Sequence, residues 1–227
     1  MLSMTNKVST TRTADFQLVG DADDQQRLSH YTRSQFTFIG VRAPERRAQA
    51  HAMVRDSRQW PVSDVLAGIA ELYERSEREY QYVAVDLAIA NVQRFDIDDV
   101  RTLSHWVTVR PARDTVDLWR RFFGLYVQHH LDEKPIVFAL FYKHDNVWMR
   151  RIAILLQLPE DYTLDADMLT AAIIYDRATP DPQIQKAIGW ALRSYGKYDA
   201  AWVRGFLRSH GLSQIASTEA HKHLLDL

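Results

Sequence analysis

The chain has 227 residues, 46% of them hydrophobic and 25% charged, with a formal net charge of −1 and no cysteine. That composition can bury a core under a polar surface. It excludes a globally basic nucleic-acid binder but not a local basic face, and it excludes disulfide and thiol chemistry.

Residues 1–20 are rich in Ser and Thr without periodicity, and a flexible tail is expected there, followed by a single domain over 21–227. The opening "MLSMTNKVSTTRTADF" has no apolar stretch of the secretory kind. The longest apolar run, "PIVFALFY", falls far short of the roughly 20 residues of a membrane span. A soluble, cytoplasmic protein without a membrane partner is expected.

From residue 21 the pattern is helical almost throughout. "FTFIGV" at 36–41 is strand-like and is expected to close a helix pair. "RAPERR" places Pro44 in a first helical turn. "WPVSDVLAGIAELYE", "EREYQYVAVDLAIANV", "DIDDVRTLSHWVTV" and "ARDTVDLWRRFFGLYVQHH" follow. Then come "EKPIVFALFYKH", "NVWMRRIAILLQL", "DADMLTAAIIYD", "DPQIQKAIGWALRSYGK", "DAAWVRGFLRSHG" and "TEAHKHLLD". Several open on Asp or Asn, residues that cap helix N-termini. Gly196 and Gly211 lie near helix ends, where left-handed backbone is useful.

The helices come in pairs whose first members begin near Pro61, Asp96, Glu133, Asp165 and Asp199. Steps of roughly 35 residues are the period of a two-helix repeat that buries its apolar face by stacking on neighbours. An all-α solenoid is expected, its concave wall lined by the second helices; a compact irregular helical domain is the alternative.

Two helices carry candidate chemistry. In "IQKAIGWALRSYGK", Ile184, Ala187, Ile188, Ala191, Leu192 and Tyr195 form one apolar face. Trp190 stands opposite, with Lys186, Arg193 and Lys197. Either Trp190 is half-buried under the next repeat, or it is an aromatic platform between phosphate-binding cations. In "ARDTVDLWRRFFGLY", Val116, Trp119, Phe122, Phe123 and Tyr126 cluster, and Asp117 points away between Arg113 and Arg121. The bland reading is a surface carboxylate in i,i+4 pairs worth about 0.3–0.5 kcal/mol each. The sharper one is an anion in a cationic groove, able to stabilise a positive charge that forms during reaction. Arg46, Arg47, Lys143, Arg150 and Arg151 recur where second helices begin. His129 with His130, and His221 with His223, are spaced so that they do not face one another on a helix. No metal site or cofactor is expected.

"QFTFIGVRAPERR", "EREYQYVAVDLA", "DTVD", "DNVWMRRIAILLQL" and "IQKAIGWALRSYGK" resemble, in that order, the AlkD-type DNA alkylation-repair proteins, over about residues 25–223. The resemblance implies a HEAT-like repeat superhelix and a monomeric, monofunctional DNA glycosylase. Such an enzyme releases cationic N3- and N7-alkylated purines from duplex DNA without swinging the lesion into a pocket, and needs no cofactor. By the same resemblance, Asp117 matches the catalytic carboxylate and Trp190 an aromatic that packs on the lesion nucleotide. Arg151 matches an arginine that holds phosphate, and Tyr31 a tyrosine lining the groove. Where the family reads "WWDTVD", this chain reads "ARDTVD": Ala112 and Arg113 replace the two tryptophans. A catalytically weak DNA-binding member of the same architecture is the alternative function. Arg47, Arg113, Lys143, Lys186, Arg193 and Lys197 complete the expected DNA-binding set.

Overall fold

The computed structural model describes residues 11–160 and 162–222, and the chain divides into two compact units, Met1–Phe95 and Asp96–Leu227. Among the described residues, regular structure is helical, and no helix is long and apolar enough to cross a membrane.

The first unit contains α1 (Ala22–Tyr31), α2 (Ala43–Asp56), α3 (Val62–Glu74) and α4 (Arg78–Ala90). Helix α1 starts where the Asp21 carboxylate accepts the N–H groups of Asp23 and Asp24. Helix α2 has Pro44 in its first turn, where a missing N–H costs nothing. Val65, Ile69 and Leu72 repeat at helical spacing on α3 and are fully buried, as are Val83, Ala84, Leu87 and Ala88 on α4. The two helices pack on each other, and α2 packs on α4.

One expectation changes in this unit. The loose segment expected through residue 20 does not extend over residues 11–20, and residues 1–10 lie outside the described part. Arg75 donates to the carbonyls of Thr13, Ala14 and Phe16 at 2.6–3.3 Å, and Thr13 and Leu18 are buried. A polar, aperiodic segment is tied down here by long-range polar contacts that no periodicity reveals: besides Arg75, the Tyr80 hydroxyl accepts the Leu18 N–H and the Gln49 amide pairs with the Val19 backbone. The strand-like run is a loop between α1 and α2 with one isolated bridge, Thr37 to Glu77. Its N–H groups go to a side chain instead of a ladder: the Glu79 carboxylate accepts from Ile39, Gly40 and Val41 at 2.9–3.2 Å. Gly40 has φ +93°, and a Cβ there would lie 2.1 Å from the Asp21 carbonyl oxygen, so only glycine fits.

The second unit contains α5 (Ile97–Ser104), α6 (Arg113–His129), α7 (Lys134–Phe141), α8 (Val147–Leu155), α9 (Ala166–Asp176), α10 (Pro182–Tyr195), α11 (Ala200–Ser209) and α12 (Gln214–His221). A reciprocal capping box, Asp96 with Asp99, opens α5. Helices α6, α8, α10 and α12 pack in a row; α5 lies on α7, α9 on α8 and α11 on α10. This is the helical-repeat arrangement that the paired spacing predicts: each helix hides its apolar stripe against the next pair. Trp119, Phe122, Phe123 and Phe141 fill the core, with Phe123 and Phe141 rings 4.7 Å apart and tilted edge to face.

Helix α10 approaches α12 closely because Gly189 has no side chain. A Cβ there would meet Cβ of Glu219 at 2.5 Å and the Ala216 carbonyl oxygen at 2.6 Å. Gly196 does not provide a left-handed cap: its φ is −59°, and its N–H closes the last turn onto Leu192. Lys143 after α7 (φ 58°) and Arg110 before α6 (φ 46°) adopt left-handed backbone instead.

Candidate functional site

The row α6, α8, α10 brings five residues of the second unit together. The apolar stripe of α6, with Val116, Trp119 and Phe123 fully buried, fixes the rotation of that helix. It leaves Asp117, and Arg120 one turn later, at the edge of the stripe. Across from them, Ile152 and Leu155 bury one face of α8 and carry Arg151 inward.

Arg151 clamps Asp117 with a fork. Its Nε donates to Oδ1 at 3.0 Å and Nη2 to Oδ2 at 3.1 Å, while Nη1 donates to the Gln183 carbonyl in the first turn of α10 at 2.6 Å. The Arg151 side chain is only 3% exposed, whereas Asp117 is 25% exposed. A charge-assisted two-point bond of this kind sets the plane of the carboxylate as well as its position. One side of Asp117 is therefore locked to the scaffold and the other reaches solvent.

Arg120 links this carboxylate to the indole. Its guanidinium carbon lies 5.6 Å from the centre of the half-buried Trp190 ring, within cation–π range. Burial pulls the Arg120 guanidinium below the ordinary arginine range; Asp117 opposes that pull, and the charges of Arg121 and Arg151 add to it. Its Nε is sealed from solvent without an acceptor, and so is Gln183 Oε1 without a donor. The arrangement has the means to meet a developing positive charge at Asp117 and an anion at the surrounding guanidiniums.

The structure alters several expected roles. Asp117 does not pair with Arg113 or Arg121 along its own helix; its partner is Arg151, two helices further along the chain. Arg151, expected to hold phosphate, is 3% exposed and commits each of its three guanidinium nitrogens to a partner within the protein. Arg113 is exposed at the first residue of α6, a helix end that disfavours cations. Arg193, expected as a free cation, is a half-buried bridge to Glu219 of α12 at 2.5 Å. Lys222 also binds Glu219, and Lys186 adds its charge there. Lys186 and Lys197 are exposed on and just after α10. Lys143 is exposed with its ammonium 5.0 Å from the Tyr142 ring. In the first unit, Arg47 is exposed and Tyr31 is 80% exposed.

Asp117 and Trp190, singled out from separate helices, meet through Arg120. Arg120 and Gln183 were not singled out by sequence. The signal for Arg120 was its i+3 spacing from Asp117; Gln183 contributes a backbone carbonyl, which any residue would supply. Among the described residues, no three His, Cys, Asp or Glu side chains are grouped to hold a metal ion. His223 lies outside them.

Comparison with known proteins relates the chain to a protein family and to a solved structure. The family model described as "DNA alkylation repair enzyme" matches residues 13–224. A solved structure described as a predicted DNA alkylation repair enzyme from Enterococcus faecalis is 42% identical, with a TM-score of 0.91. That match covers 93% of this chain and 100% of the other. No curated protein matches.

Proposed function

Because this chain belongs to the DNA alkylation repair enzyme family, we propose that it acts on duplex DNA as an AlkD-type glycosylase, hydrolysing the N-glycosidic bond of cationic N3- and N7-alkylated purines. The observation that carries this reading is the partly exposed Asp117 carboxylate, locked in plane by buried Arg151 and linked through Arg120 to the Trp190 ring. Alkylation makes the purine a cationic leaving group, so little acid assistance is needed. As the bond to the base stretches, the sugar becomes oxocarbenium-like. A fixed anion stabilises that cation without reorganising and orients the attacking water. The indole of Trp190 offers its π face to the same electron-poor sugar. Exposed Lys186, Lys197, Arg113, Arg47 and Tyr31 are the groups proposed to meet the DNA backbone. No lysine nucleophile or cofactor enters this chemistry, and the lesion need not swing into a pocket.

The test is mass-spectrometric detection of free 7-methylguanine released from methylated duplex DNA. Release above the spontaneous rate is expected. Asp117→Asn is expected to lower it about 10²–10³-fold with DNA affinity within a few-fold. Equal release by the two proteins removes the role assigned to Asp117.

A second reading has its own support: DNA binding with little or no excision. Arg113 stands one turn before Asp117 on the same helix, and the guanidiniums of Arg120 and Arg151 adjoin the carboxylate, so cations gather on this side of α6. Such a site favours phosphate over a cationic base. Arg113→Trp separates the readings. A large gain of excision with unchanged folding means that the natural chain is a binder whose catalysis is suppressed by this cation. No gain, with measurable activity in the natural chain, leaves the glycosylase reading in place.

A further inference from the structure

We propose that the first unit holds a binding site for a small organic anion, a phosphate or carboxylate on an apolar body, where α2 begins. A cleft of about 300 Å³ opens there between α1, the 36–41 loop, α2 and α4. That is the lower end of the volume of small-molecule pockets.

The cation is Arg46. Its side chain is 9% exposed, and its guanidinium stacks over the Tyr82 ring at 4.8 Å. Its ion-pair partner is Asp86, reached by Nη2 at 3.4 Å, the outer edge of hydrogen bonding. Its Nε is sealed from bulk solvent and has no acceptor. Arg46 lines the cleft, and with Nε unpaired and Nη2 at the limit of its reach this buried guanidinium stands to gain from an acceptor that arrives there.

The other charges do not supply that acceptor. The Asp24 carboxylate is held by Arg42 at 2.6 and 3.1 Å, and also by Arg27. Glu79 spends its oxygens on the N–H groups of Ile39, Gly40 and Val41. The three guanidiniums that line the cleft therefore outnumber its two carboxylates, and both carboxylates are already engaged. The first turn of α2 adds its positive dipole end, and no side chain caps it. The remaining wall, with Leu28, Phe38, Val41 and Ala43, is apolar. An anion alone leaves that wall wet, whereas an anion carried on a ring or short aliphatic group covers it.

The probes are phenyl phosphate, benzoate, inorganic phosphate and phenol, titrated into the full chain by calorimetry and by thermal shift. Saturable binding is expected for phenyl phosphate and benzoate, weaker binding for inorganic phosphate, and none for phenol. Arg46→Gln is expected to weaken phenyl phosphate at least about tenfold, the loss of one charge-assisted hydrogen bond. Arg58→Gln removes an exposed charge elsewhere in the unit and is expected to stay within about twofold. If Arg46→Gln does not fold, Leu28→Trp fills the cleft from a half-buried position of α1 and is expected to abolish binding. Phenol binding as tightly as phenyl phosphate, or binding that survives both Arg46→Gln and Leu28→Trp, overturns the site. So does the absence of saturation by either organic anion. Loss of duplex DNA binding in Arg46→Gln, with no response to any small anion, also overturns it and assigns the cleft to the nucleic-acid surface. The DNA-repair reading stands or falls separately on the Asp117 assay.

Discussion

Replacing Arg151 with methionine keeps the length and apolar stem of the side chain and deletes three hydrogen bonds, two to Asp117 and one to the Gln183 carbonyl. Breaking a fully buried ion pair from one side costs about 3–5 kcal/mol. Here Asp117 is 25% exposed and rehydrates in part, so the cost is set nearer about 3 kcal/mol, much of it from the stranded carboxylate and carbonyl. At about 2–4 °C per kcal/mol for a chain of this size, the melting temperature of the second unit is expected to fall by about 6–12 °C. Tryptophan fluorescence on heating suits the measurement: Trp106, Trp119, Trp148, Trp190 and Trp202 all lie in the second unit, and Trp60 alone in the first. Asp117→Asn and the double variant complete the cycle, with a coupling of at least about 1.5 kcal/mol expected. A loss below about 1 kcal/mol for Arg151→Met, or additive effects, refutes the claim that this pair fixes the carboxylate.

Two further changes probe the junction of α10 and α12. Gly189→Ala puts a methyl 2.6 Å from the Ala216 carbonyl oxygen and is expected to cost about 1–3 kcal/mol by overpacking, read as a lower urea midpoint at unchanged slope. Glu219 is held below the ordinary carboxylate range, first by the hydrogen bond from Lys222, against the upward pull of burial, with the charges of Arg193, Lys222 and Lys186 also lowering it. A depressed carboxylate stabilises above its unfolded value, about 4.3, and loses that contribution as pH falls through its folded value. Glu219→Gln is therefore expected to lower stability at pH 7 and make little difference at pH 3, measured by thermal melts across that range.

The helices were legible because their causes are local. Asp21, Asp96, Asp165, Asp181 and Asp199 each cap the helix that follows, and the apolar stripe of α6 is written at helical spacing. The repeat period of roughly 35 residues was legible for the same reason. What sequence hid depends on a partner far along the chain. Asp117 has cations at i−4 and i+4, so helical spacing points to them; the fold supplies Arg151 instead. The run at 36–41 alternates like a strand, yet Glu79 claims its N–H groups. Thr13 carries no apolar signal and is buried by the reach of Arg75. Arg193 was read as a phosphate ligand because its helix face was judged against water, whereas Gly189 lets α12 lie across that face.

Asp117, Arg120, Arg151, Gln183 and Trp190 all fall after Phe95, and Arg46 with its cleft falls before it. A substitution confined to the residues before Asp96 therefore alters no member of the Asp117 cluster, and one confined to the residues after Phe95 alters no member of the Arg46 cleft, so each site can be rewritten in sequence without touching the residues of the other.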